Sequence, residues 1–76
     1  MRERIREKIA GFVNQPSGKV TDDRILTELV TESFLLVELV IELQEEFHAR
    51  LMQEDLRSVK TVGDLISTVE KKQVSD

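Results

Sequence analysis

The chain has no cysteine, one histidine, one proline and three glycines among its 76 residues. Without cysteine there can be no disulfide and no thiolate metal site. A lone histidine, His48, with no cysteine beside it argues against a metal site and against a histidine-based catalytic triad. Long apolar runs are missing too. The longest, Phe34-Leu35-Leu36-Val37, falls far short of the ~20 residues a helix needs to cross a bilayer. No cationic-then-apolar leader with a small-residue cleavage site opens the sequence, so the expected location is the cytoplasm. Basic charge is also in deficit: 11 Lys and Arg against 15 Asp and Glu leave a net charge of −4. Nucleic-acid binding, which rests on clustered Lys and Arg, is disfavoured. There is no internal repeat and no low-complexity tract.

What is present is 39% hydrophobic and 34% charged. That is too apolar for a disordered tail, and the length allows one domain, residues 1–76. A domain this small buries only roughly 60% of the surface its unfolded chain exposes, so the core must be small and its stability modest. The charge is unevenly spread. Residues 20–47 hold eight acids and one base, Arg24, for −7, while the remainder sums to +3. Such asymmetry speaks of partners rather than of fold.

Ile5, Ile9, Phe12 and Val13 fall at helical spacing and predict a first helix over Arg2 to Val13. Gly11 inside it is less favourable than alanine by ~1 kcal/mol. Asn14-Gln15-Pro16-Ser17-Gly18 is turn chemistry. A long loop then runs to about Thr31, with Val20, Ile25, Leu26 and Leu29 as its expected anchors. The second helix is predicted from Ser33 to His48, with Leu36, Leu39, Val40, Leu43 and Phe47 on its buried face. Phe34, Leu35, Val37 and Ile41 widen that face, so the helix should be central and touch several neighbours. Glu38, Glu42, Glu45 and Glu46 form a ridge opposite, self-repelling at i, i+4. This repulsion over a small core predicts that salt or divalent cations raise the melting temperature. A short helical turn is expected over Met52 to Ser58, with Leu56 and Val59 pointing inward. Thr61, with Asp64 three residues on, has the pattern of a capping box. Val62, Leu65, Ile66 and Val69 follow at i, i+3, i+4, i+7 as the buried face of a last helix. The expected fold is all-α: a small four-helix bundle of three longer helices and one short third helix, with a long loop between helices 1 and 2.

Ser33 stands where the long loop meets the most apolar helix. By itself, a serine before a helical pattern reads as an N-cap. The alternative is a hydroxyl presented at a helix start so that a phosphate can be esterified to it, a place where backbone N–H groups and the helix dipole favour an anion. Nucleophilic catalysis has little support, because no general base is visible for Ser33 and His48 lies some fifteen residues away at the other end of the same helix. No converging polar cluster supports a hydrolase or transferase.

The stretch from Val20 to Phe47, VTDDRILTELVTESFLLVELVIELQEEF, resembles the loop and second helix of an acyl carrier protein. Glu32-Ser33-Phe34 stands at the family's Asp-Ser-Leu, Glu38-Leu39-Val40 at its Glu-Leu-Val, and Glu45-Glu46-Phe47 at its Glu-Glu-Phe ending. An amphipathic first helix, a short third helix and the Thr61-to-Leu65 start of the last helix, Thr-Val-Gly-Asp-Leu, agree as well. The likeness covers nearly the whole chain in order and spacing.

The resemblance implies a carrier, not an enzyme. A phosphopantetheinyl transferase would attach 4′-phosphopantetheine from coenzyme A to Ser33. The arm's thiol would hold acyl groups as thioesters for fatty acid, polyketide or related biosynthesis, supplying the sulfur the chain lacks. Phe34, Leu36, Val40 and Leu43 are the expected acyl-chain pocket, with plain core as their other reading. Glu32, Glu38, Glu42, Glu45 and Glu46 are expected to dock basic patches of acyl-transferring or chain-elongating enzymes. The carrier is expected to be a monomer that neither binds nucleic acid nor inserts into a membrane. Three positions depart from the family pattern: Glu32 for the aspartate, Phe34 for the leucine, and Val30 for a glycine three residues before the serine. They point to a specialised carrier. They also keep open an unmodified interaction module, in which Ser33 is only a cap and the acidic helix binds basic partners.

Overall fold

The computed structural model describes residues 1–74. In chain order its elements are α1 (Arg2–Val13), a 3₁₀ turn (Ser17–Lys19), α2 (Leu26–Leu29), α3 (Ser33–Phe47), α4 (Gln53–Arg57) and α5 (Val62–Lys71). The long helices α1, α3 and α5 pack on one another, and with the short α4 they make the expected four-helix bundle. The connection from α1 to α3 is not bare loop: it contains the 3₁₀ turn and the single turn α2. Among the described residues the only β-pairing is in two isolated bridges.

Helix α1 buries Ile5, Ile9 and Ala10 and stops at Asn14, whose left-handed backbone (φ 59°) turns its N–H onto the last carbonyls. Its opening turn is rich in arginine, which the positive end of the helix dipole disfavours. Those cations are used across the bundle instead. Arg2 reaches Glu70 on α5 at 2.9 Å and Asp22 at 3.0 Å. Arg6 donates to the Val20 carbonyl at 2.6 Å and also to Asp22.

The start of α5 shows the capping box expected from Thr61 and Asp64. Thr61 Oγ1 accepts from the Asp64 N–H at 3.1 Å, and Asp64 Oδ2 accepts from the N–H groups of Thr61 and Lys60. Those two backbone bonds, Lys60 first, hold the Asp64 carboxyl below the usual carboxylate range. The same turn stitches the long connection down. Gly63 N–H donates to the Asp22 carbonyl (3.0 Å), Val62 N–H to Arg24 (2.9 Å), and Leu26 N–H to Lys60 (3.0 Å). Approach here is so close that a Cβ on Gly63 would lie 3.0 Å from Asp22 Cβ.

Val20 and Leu26 anchor the connection as expected, and Leu29 packs partly against the core. Ile25 does not: it caps α2 and is exposed, while the unforeseen anchor is Val30, buried at the end of α2. The core proper gathers Ile5, Ile9, Leu39, Leu43, Leu65 and Ile66, all fully buried. Leu56 and Val59 lean against it half-buried.

Helix α3 ends one residue earlier than predicted, because His48 takes a left-handed conformation (φ 52°) and closes the helix through the Gln44 carbonyl. Its buried face, Leu39, Val40, Leu43 and Phe47 with Leu36 half-buried, is the one expected. Of the four residues expected to widen that face, only Leu35 does so, packed half-buried against the core. Phe34, Val37 and Ile41 are 60%, 57% and 47% exposed. At 100° per residue these three lie together on the side away from the core, where none of the described elements covers them.

Candidate functional site

Ser33 is the first helical residue of α3, and the capping position with extended backbone belongs to Glu32 (φ −106°, ψ 128°). The serine therefore sits one residue too far along to act as N-cap. It makes no capping bond, and its hydroxyl enters no side-chain hydrogen bond among the described residues. It is exposed. In the first turn, the Leu35 and Leu36 N–H groups turn back onto the Glu32 carbonyl, while those of Ser33 and Phe34 have no backbone acceptor among the described residues. A fifteen-residue helix thus aims free N–H groups and its dipole at the space around a free hydroxyl. Among the described residues no basic side chain is hydrogen-bonded to that hydroxyl. His48 terminates the same helix, about 22 Å away along its axis at 1.5 Å per residue.

The acidic ridge divides into two parts. Glu42 and Glu46 lean toward α1: Lys8 Nζ lies 3.3 Å from Glu42 and 4.0 Å from Glu46, with Arg4 3.9 Å from Glu46. Glu32, Glu38 and Glu45 are exposed and have no ion pair among the described residues. Glu38 and Glu45, seven residues apart, line the edge of the Phe34–Val37–Ile41 stripe. One face of α3 thus presents an apolar strip bordered by free carboxylates, beginning beside Ser33. The self-repulsion expected along the ridge is relieved on its α1 side. Among the described residues, no group of three or more His, Asp or Glu is placed to hold a metal ion.

Behind α3 lies a cavity of about 430 Å³, lined by Leu36 and Val40 from α3, Leu26 from α2, Leu56 and Val59 from the α4 region, and Leu65 from α5. Ile25, Thr27, Lys60 and Thr61 complete its wall. Two of the expected pocket residues, Leu36 and Val40, are in this lining. Phe34 and Leu43 are not, and this corrects the sequence reading. The Phe34 side chain stands in solvent on the opposite side of the helix, and Leu43 is fully buried in the core one turn further on. Leu56, Val59 and Leu65 were foreseen only as core, since periodicity reports which residues point inward and not where the interior is empty.

Residues 3–69 match the family described as "Phosphopantetheine attachment site". The chain is 33% identical over 76 residues to an acyl carrier protein of Thermotoga maritima, with 93% of this chain and 94% of that protein aligned. The chain belongs to the acyl carrier protein family. Acyl carrier proteins of Solidesulfovibrio magneticus, at 31% over 72 residues, and of Arthrobacter sp. strain FB24, at 32% over 76, are aligned over 93% of this chain and over 92% and 94% of their own lengths. Membership implies a covalently attached 4′-phosphopantetheine group. The geometry fits one: carrier proteins need an accessible hydroxyl where a phosphodiester anion is tolerated, and the start of α3 offers both. No helix among the described residues is long and apolar enough to cross a membrane.

Proposed function

We propose that Ser33 is the attachment point of the phosphopantetheine arm, and that the chain, one carrier domain over residues 1–76, is a monomeric cytoplasmic shuttle of acyl thioesters rather than an enzyme. The observation that carries this is the exposed, unbonded Ser33 hydroxyl on the first turn of α3, within a chain of the carrier family. A serine kept only as a cap would be engaged with the helix it caps, and this one is not. When bound, the arm supplies a thiol that holds an acyl group for fatty acid, polyketide or related biosynthesis. The protein's own residues do the rest. Ser33 provides the ester oxygen, and the free N–H groups and dipole of α3 favour the phosphodiester charge.

Leu36 and Val40, with Leu26, Leu56, Val59 and Leu65 opposite them, shelter an apolar acyl chain in the cavity. Glu32, Glu38 and Glu45 steer a phosphopantetheinyl transferase and acyl-processing enzymes that carry basic patches. Glu42 and Glu46, already shared with Lys8 and Arg4, contribute less. Phe34, Val37 and Ile41 supply the apolar contact that holds a partner once it arrives, as exposed apolar patches rimmed by charge commonly do.

The test is incubation with coenzyme A and a broad-specificity phosphopantetheinyl transferase, followed by intact mass. The expected result is a gain of one phosphopantetheine that vanishes in Ser33→Ala. An unchanged mass with several transferases, including one from the native host, contradicts the reading.

A further inference from the structure

The two walls of the cavity are built differently. Along residues 25–27 and 60–61 the wall is a backbone seam, bridged between Ile25 and Thr61 and closed by the Leu26 N–H bond to the Lys60 carbonyl. Elsewhere the lining includes Leu56 and Val59, half-buried side chains carried by α4 and the turn after it. Helix α4 is five residues long, far below the 12–15 at which an isolated helix is even marginal in water. Its polar bonds are local: Asp55 Oδ2 accepts from the Met52 N–H at 2.9 Å, and the Ser58 hydroxyl donates to the Asp55 carbonyl at 3.2 Å. Among the described residues one polar link joins α4 to a distant part of the chain. Lys72 Nζ lies 3.3 Å from Asp55 Oδ1.

Lys72 belongs to a segment that is itself fastened down. After α5, the Lys72 carbonyl accepts from the Arg50 N–H (2.9 Å) and the Val74 N–H donates to the His48 carbonyl (2.8 Å). The Gln73 side chain adds a bond to the Phe47 carbonyl (3.2 Å). Residues 72–74 therefore lie antiparallel to residues 48–50, across the chain that enters α4. Asp55 serves twice, one oxygen capping α4 and the other meeting the strap.

We propose that residues 72–74 form a strap that controls how readily the α4 wall swings away from the cavity, with the Lys72–Asp55 pair as its latch. The use of that opening to admit and release an acyl chain rests on the carrier function proposed above; the strap itself does not. Closed, Leu56 and Val59 cover the cavity. Released, α4 keeps its local bonds and its apolar contacts, and the weaker wall opens while the bonded seam stays shut.

The test is amide hydrogen exchange, residue by residue, on the full-length unmodified chain. The reporters are the Leu56 and Val59 amides, which donate to the Met52 and Leu56 carbonyls. Lys72→Met removes the latch, and Asp55→Asn removes the charge while keeping an oxygen for the cap. Lys71→Met, an exposed neighbour with no ion pair among the described residues, controls for lost charge. Both latch variants should exchange about two- to fivefold faster at these amides, the range an exposed ion pair can supply. The α1 and α3 amides should not change, and high salt should bring the parent chain up to the variants. Exchange equal to the Lys71→Met control, or acceleration spread evenly over all helices, overturns the strap. Ser33 is unmodified throughout, so failure of the attachment reading leaves this result standing, and failure here leaves attachment untouched.

Discussion

The same substitution, glycine to alanine, should change stability in opposite directions at two helical positions. Gly11 lies in α1 with nothing within 4 Å of where a Cβ would go. Alanine there should gain the ordinary helix-propensity difference, about 0.8–1 kcal/mol. Gly63 lies in the first turn of α5 and would gain a similar amount in isolation. Its Cβ, however, would sit 3.0 Å from Asp22 Cβ, 3.2 Å from the Asp22 carbonyl oxygen and 3.3 Å from Cγ. Asp22 cannot step aside freely, because Arg2 and Arg6 both hold its carboxylate. Relief therefore means pushing the connection off α5. That stretches the Gly63 N–H bond to Asp22, a loss of about 0.5–1.5 kcal/mol. Overpacking adds about 1–3 kcal/mol. Set against the propensity gain, the net is a destabilisation of about 0.5–3.5 kcal/mol at Gly63 and a stabilisation of up to about 1 kcal/mol at Gly11. Urea denaturation followed by far-UV circular dichroism reads both, and each kcal/mol moves the thermal midpoint by about 4–8 °C in a chain of this size. If Gly63→Ala is as stable as the parent, residues 22–26 are not seated on α5 as described and the cavity seam loses its support.

The two halves of the acidic ridge should behave differently. Glu38→Lys and Glu45→Lys should slow modification by the transferase several-fold and flatten its salt dependence without moving the melting temperature, whereas Glu42→Lys, placed against Lys8, should lower that temperature. Stability should fall in acid. Asp22 is held below the usual carboxylate range first by the Arg6 hydrogen bond, Asp55 first by the Met52 N–H, and Asp64 first by the Lys60 N–H. Their folded values lie below the unfolded ones, so this stabilisation is complete above the ordinary carboxylate value of about 4. It is lost as pH falls through the depressed folded values; Asp22→Asn should shift acid unfolding, monitored by circular dichroism, to a smaller pH dependence. Magnesium and sodium chloride at equal ionic strength should give the same melting temperature, since the ridge offers screening sites but no clustered ligands among the described residues. An excess effect of magnesium would contradict that.

Much of the bundle is legible in the sequence, and what escapes it does so for definite reasons. The bounds of α1 and the capping of α5 by Thr61 and Asp64 are local patterns, an i, i+4 apolar pair ended by turn residues and a threonine followed by an aspartate. The single turn α2 is too short to display a period, so it read as loop. In α3, apolar residues occur nearly all round the helix, and periodicity alone could not say that Phe34, Val37 and Ile41 would be the ones left uncovered. The neutralisation of Glu42 and Glu46 depends on Lys8 and Arg4, distant in sequence and near only once α1 packs on α3. Ser33 reads from the sequence as the junction residue, but its place one step inside the helix, with Glu32 as cap, is a single-residue distinction that sequence patterns resolve poorly.

The central claim is a thiol arm on Ser33, and its most direct test is the chain recovered from the cells that make it. Proteolysis and tandem mass spectrometry should find the peptide bearing Ser33 heavier by phosphopantetheine, with a further fraction carrying acyl mass that neutral hydroxylamine removes as expected of a thioester. A Ser33 peptide of unmodified mass throughout would contradict the account.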